Sequence, residues 1–141
     1  MEIMRSQLQE RLTLFKLDGE DRDLLEQAGK LLFDELDGVL ERFYAVALAD
    51  DTMSSFFSGG PQVDRARNAQ YAHWRMLLSG GFEDAYLEST RRIGRVHFKI
   101  QLPFLVYLSS YARAASDLQS ILLRKLRRQL LTQPNKVAAM L

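Results

Sequence analysis

Of the side chains able to serve as nucleophile, metal ligand or proton carrier near neutral pH, the chain has no cysteine and two histidines, His73 and His97. His97 lies in IGRVHFKIQLP, residues Ile93 to Pro103, between two hydrophobic residues. Tyr86, Thr90, Ile93, His97 and Ile100 follow offsets of 4, 7, 11 and 14 and so share one face of a helix. His97 therefore points where the apolar residues point. A buried imidazole must satisfy both nitrogens. A metal ion takes one, and the other then donates to a carbonyl, for which that of Ile93 is correctly placed. A core histidine bonded to backbone or to a tyrosine hydroxyl fits the same spacing, so both readings stand on the pattern alone.

Metal chemistry here is narrowly bounded. One histidine cannot hold a bare transition metal, and no HxxxH, HExxH or paired-carboxylate pattern accompanies it, so zinc and di-iron sites find no support. A heme is different, because the porphyrin supplies four ligands and the protein adds one plus a dry apolar slot.

The elements that must position His97 follow from the punctuation. Apolar residues recur at three- and four-residue spacing, which predicts an all-helical chain. A short helix is expected around residues 3 to 15. The next begins near Glu20 with Asp18 as cap and acids in its first turn, burying Leu24, Leu25, Ala28, Leu31 and Leu32. LFDELDGVLERFYAVALADD continues with Leu36, Val39, Leu40, Phe43 and Val46 or Ala47 on one side, and Gly38 is placed for a bend or a close helix crossing. DTMSSFF forms a short piece capped by Asp51 or Thr52. From Pro61 a helix runs to Ser79 and stops at Gly80-Gly81. Another spans Glu83 to about Lys99, and Pro103 opens a last long helix that runs until Pro134. The terminal PNKVAAML reads as the start of a further helix that the chain leaves unfinished, as expected of a piece cut from a longer protein.

The chain of 141 residues suits one domain, 1–141, with a single core. Hydrophobic residues make up 47% and charged residues 26%, the balance of a globular fold rather than a disordered tail. A net charge of +1 argues against nucleic acid as partner, and the basic run RKLRRQ, Arg124 to Gln129, has no basic stripe to extend it. The absence of cysteine excludes disulfides, thiolate metal sites and cysteine nucleophiles, and fits a reducing compartment. Neither a signal peptide nor an apolar run long enough to span a bilayer is present, so no membrane partner and a cytoplasmic location are expected.

Three segments together carry a family likeness: LERFYAVALADD, then VDRARNAQYAHWRMLLSGGFEDAYLESTRRIGRVHFKIQLP, then YLSSY. In order and spacing the chain resembles, over about residues 18 to 115, the sensor globin domain of globin-coupled sensors, heme proteins that place a globin ahead of a signalling output. The resemblance implies a globin fold: a three-over-three-like helical sandwich with an extra N-terminal helix, here with the final helix cut short. It implies heme b as cofactor and oxygen as ligand, with carbon monoxide and nitric oxide as further ligands. His97 corresponds to the proximal histidine, and Tyr44 to the distal tyrosine. A bound dioxygen carries partial negative charge, and a phenol supplies a hydrogen-bond donor without ionising near neutral pH. Taken alone, Tyr44 would read equally as a core tyrosine with one wet end.

The resemblance places Tyr107 on the proximal side, where a hydrogen bond near the histidine and a plain packing role both fit. It turns the stripe of Val63, Ala66, Ala69 or Gln70, and His73 toward the heme. Some relatives carry a hydroxyl at the position of Ala69 and a bulkier aliphatic at that of Ala66. With alanine at both, a second distal donor exists only if Gln70 swings inward. His73 is expected at the pocket edge or in solvent, with contact to a heme propionate, or to the iron in the ligand-free ferric state, as the alternatives. Leu40, Phe43, Met53, Phe57, Ile93, Val96, Ile100 and Leu102 are candidates for the apolar walls, several of them as plain core. The family pairs its last two helices across a homodimer that leads into a covalently linked output; here Leu108, Tyr111, Ala115, Leu118 and Leu122 recur at helical spacing. A diguanylate cyclase is the expected output, with a chemotaxis transducer or kinase as alternatives, and a heme-free helical interaction domain as the competing reading. No catalytic constellation lies within these residues, so this domain is not expected to be an enzyme.

Overall fold

The computed structural model describes residues 2–132 and 134–135. Among them all regular structure is helical: α1 (Glu2–Leu14), α2 (Glu20–Leu32), α3 (Leu36–Ala49), α4 (Asp51–Ser54), α5 (Gly60–Leu78), α6 (Asp84–Lys99) and α7 (Phe104–Leu130). The expected further helix in PNKVAAML falls largely on residues 136–141, outside those described.

α2 and α3 each pack against both α5 and α7, and α6 packs on α5. The core forms where these faces meet. Leu32, Leu36, Val39 and Leu40 come from the α2–α3 side, Trp74 and Leu78 from α5, and Ala114, Leu118 and Ile121 from α7. Burying each large aliphatic contributes about 2 kcal/mol. The periodicity predicts the all-helical chain, and the arrangement is consistent with the helical sandwich that the resemblance implies, with α1 as the additional N-terminal helix. Arg5 on α1 pairs with Asp84 in the first turn of α6. Lys125 on α7 holds Asp34 at 2.7 Å and Glu35 at 3.2 Å, tying α7 to the turn between α2 and α3.

Local details depart from the sequence reading. Asp18 does not cap α2: its carboxylate accepts instead from the Thr13 hydroxyl at 2.7 Å, and Gly19 takes the cap position at φ 62°. Asp50, rather than Asp51 or Thr52, caps α4, accepting from the Met53 N–H at 2.8 Å. Gly38 meets only the tip of Arg42, whereas the close crossing is at Gly29, where an added Cβ would lie 2.0 Å from the carbonyl oxygen of Leu78. Only a residue without a side chain lets α2 and α5 approach this far. The stripe on α7 also divides: Leu118 is sealed in the core and Leu122 packs against it, while Leu108 and Tyr111 stay exposed.

Candidate functional site

The helix that carries His97 has little of its own to bury. α6 is strongly amphipathic in sequence, yet its one sealed residue is Ser89. Its end is built with care. The Leu102 N–H donates to the carbonyl of His97 at 3.0 Å and the Gln101 N–H to that of Phe98 at 3.1 Å. Gln101, between them, is left-handed at φ 52°. This is the Schellman arrangement, with glutamine where glycine is usual. Pro103 then continues in extended geometry and opens α7, which carries Tyr107 back over His97. The two rings lie 5.2 Å apart, inclined at 59°.

His97 lines a cavity of about 750 Å³ between α6, the α6–α7 corner and the start of α7. Ile93, Leu102, Phe98 and Phe104 give it apolar walls, and Gly94 lies one turn before the histidine. An added Cβ at Gly94 would meet nothing within 4 Å, so the glycine leaves open space beside the imidazole. The expected hydrogen bond from His97 to the Ile93 carbonyl is not formed, and the ring makes no side-chain hydrogen bond among the described residues. Since no fully sealed nitrogen or oxygen there lacks a partner, both ring nitrogens reach accessible space. Burial pushes its pKa below the ordinary histidine value, which favours the neutral ring with a lone pair to offer.

His73, from α5, lines the same cavity. It stacks on Tyr86 at 5.2 Å and 15°, and its Nδ1 lies 3.0 Å from the Ser89 hydroxyl. It is half-buried and bonded across two helices, rather than a loose side chain in solvent.

Tyr44 is not among the residues that line this cavity. On α3 it is 7% exposed, with edge-to-face contacts to Phe43 at 5.2 Å and Phe57 at 6.0 Å. Burial pushes its pKa up to about 12. Its hydroxyl has no hydrogen bond among the described residues and, by the same argument as for His97, meets accessible space.

The structure thus gathers His97, Ile93, Leu102 and Tyr107 around one cavity. Leu40 is sealed in the core, and Phe43 packs against it. Met53, Phe57, Val63, Ala66, Gln70 and Ile100 are half-buried, Ala69 is exposed and Val96 is 51% exposed; none of these lines the cavity, nor does Tyr44. Thr90, on the stripe of His97, lines the cavity too, and the residues the sequence reading left out are Gly94, Phe98, Lys99, Gln101 and Phe104. A glycine three residues before a histidine was a readable signal for Gly94. For Phe98 and Phe104 the only signal is their position beside the corner.

The profile of the protoglobin family matches residues 4–141, nearly the whole chain. The chain belongs to the protoglobin family. No curated protein sequence matches it. Protoglobins are globin-type domains that bind heme and gas ligands, and the residues of this chain fit that group. No cluster of three or more His, Cys, Asp or Glu that could hold a bare metal ion occurs among the described residues. A single neutral imidazole beside an apolar cavity of a size that takes a flat cofactor is the donor set a porphyrin requires. Phe98 is 86% exposed and Phe104 70% exposed at the cavity, rings that a flat apolar molecule would cover. Among the described residues no helix is long and apolar enough to cross a membrane.

Proposed function

We propose that this protoglobin is the oxygen-sensing heme domain of a globin-coupled sensor, in which His97 would hold the heme iron and Tyr44 would donate a hydrogen bond to the bound gas. The observation that carries the reading is His97 itself, favoured in its neutral form, without a side-chain hydrogen bond among the described residues, and open to a largely apolar cavity. When bound, heme b would supply the iron position at which oxygen, and likewise carbon monoxide or nitric oxide, binds reversibly. The protein's part is then to hold its one ligand by the helix end, to exclude water with Ile93, Leu102 and Phe104, and to offer a phenol proton. Tyr44 suits that last task because burial keeps its proton on well above neutral pH.

Signalling would leave through α7, since Tyr107 touches the imidazole at one end of a helix whose Leu105 and Leu108 stay exposed. In this reading α7 pairs with a second copy and passes the signal to an output, for which a diguanylate cyclase is the expectation by family analogy alone. The domain itself is a sensor, not an enzyme, and works in the cytoplasm. A ligand can bias such a dimer only through different affinities for its two packings.

The test is the visible absorption spectrum of wild type and His97→Ala, reduced under nitrogen and then opened to air. A heme band that changes form in air and is lost or altered in His97→Ala supports the assignment. Folded wild-type protein that takes up no heme sinks it, and leaves the heme-free interaction domain.

A further inference from the structure

His73 enters the cavity as more than a wall. Its Nδ1 is 3.0 Å from the hydroxyl of Ser89, which is 2% exposed and on α6. Neighbouring Thr90 donates its own hydroxyl proton to the Tyr86 carbonyl at 2.9 Å, but Ser89 makes no such bond among the described residues. The one acceptor left for the Ser89 proton is therefore Nδ1 of His73. A buried hydroxyl finds a partner wherever one is in reach, so Ser89 donates and Nδ1 accepts. In a neutral imidazole the ring proton must then reside on Nε2. His73 thus presents an N–H donor rather than a lone pair, and stacking on Tyr86 fixes its plane.

The surroundings say what that donor is for. The cavity lining holds Lys99 and no acidic residue. Burial first, and then the nearby Arg92, one turn beyond Ser89 on the same helix, disfavour the charged form of His73, and Arg92 makes no ion pair among the described residues. A neutral donor and a lysine thus border a slot walled chiefly by Ile93, Phe98, Leu102 and Phe104, and the Arg92 guanidinium lies near His73 without lining it. That combination suits a flat apolar molecule with an anionic edge.

We propose that the His73–Ser89 pair is a carboxylate-anchoring site, in which the Nε2–H of His73 holds a propionate of the heme and so fixes its rotation in the cavity. The proposal rests on the heme reading above, and it makes His73 a positioning residue rather than a second iron ligand.

The experiment compares iron protoporphyrin IX with its dimethyl ester, in which both carboxylates are capped. The rate at which each leaves the protein for an excess of an acceptor apoglobin is followed by visible absorption, with far-ultraviolet circular dichroism to confirm that every variant folds. A hydrogen bond to a carboxylate lost from His73→Ala should speed departure of the free acid roughly tenfold or more. Departure of the ester should not change. His73→Gln, whose amide N–H reaches close to the position of Nε2, should hold the free acid as wild type does. Ser89→Ala, which frees the tautomer, should show a smaller effect on the free acid alone. Equal acceleration of acid and ester, or no acceleration of either, overturns the proposal and leaves the heme reading intact. A ferric wild type that is low-spin and turns high-spin in His73→Ala also overturns it, by making His73 an iron ligand. Wild type that binds neither compound overturns the heme reading, and this proposal with it.

Discussion

Tyr44 joins two properties that separate experiments can read. Its hydroxyl has no protein partner among the described residues, so Tyr44→Phe should leave stability at neutral pH within about 1 kcal/mol of wild type. On the reading proposed above, the same change removes a donor to bound oxygen, and oxygen release in a flash or stopped-flow measurement should accelerate about tenfold. Alkaline pH gives an independent check. The buried phenol holds its proton to about 12, while in the unfolded chain it ionises near the ordinary 10. Between those values the unfolded state has lost a proton that the folded state keeps. The stability is therefore whole below pH 10 and declines as pH rises toward 12, by roughly 2 to 3 kcal/mol. Urea midpoints at neutral and strongly alkaline pH should diverge in wild type, and diverge less in Tyr44→Phe. His97 was legible in the sequence because its neighbours on the stripe are local, four and seven residues away. His73 was not, since its meaning depends on Ser89, sixteen residues on and on another helix.

At the scale of elements, the helices followed from periodicity and punctuation, but the places where they touch did not. Gly38 and Gly29 look alike as letters in helical segments. Only the fold separates them, because a glycine at a crossing is defined by the atom opposite it. Gly29→Ala would drive a methyl into the Leu78 carbonyl and should lower stability by about 3 kcal/mol in chemical denaturation, through forced separation of α2 and α5. Gly38→Ala meets only the flexible end of Arg42 and should be neutral or stabilising by up to about 1 kcal/mol. The corner after α6 poses a related case. Gln101 holds a left-handed backbone that costs a non-glycine residue about 1 kcal/mol, and Gln101→Gly should raise the unfolding temperature accordingly. No glycine marks this turn in the sequence, so the Schellman end beneath His97 was invisible there, although the following Leu-Pro announced the end itself.

For the whole molecule, the division between core and cavity matters most. None of the sealed residues that join α2, α3, α5 and α7 lines the cavity, and α6 contributes only Ser89 to the buried set. With heme in this cavity, as proposed above, folding and cofactor binding would draw on different side chains there. The chain without heme should keep its core, with nearly the helix content of the loaded protein, while α6 and the α6–α7 corner lose protection. Hydrogen exchange with and without iron protoporphyrin should show the change concentrated in residues 84–103 and little in α3. Uniform loss of protection would mean that the core needs the cofactor after all. The sequence could hardly reveal this separation, because an apolar stripe facing a cavity and one facing a core have the same period. Trp74 closes the matter at the practical level. It is the chain's single tryptophan, sealed in the core and stacked 5.2 Å from Tyr111, immediately after the histidine that enters the cavity. The molecule therefore carries an intrinsic lamp: its ultraviolet emission should dim by energy transfer when a porphyrin arrives and shift to the red when the core opens, so one fluorometer distinguishes loading from unfolding without any label.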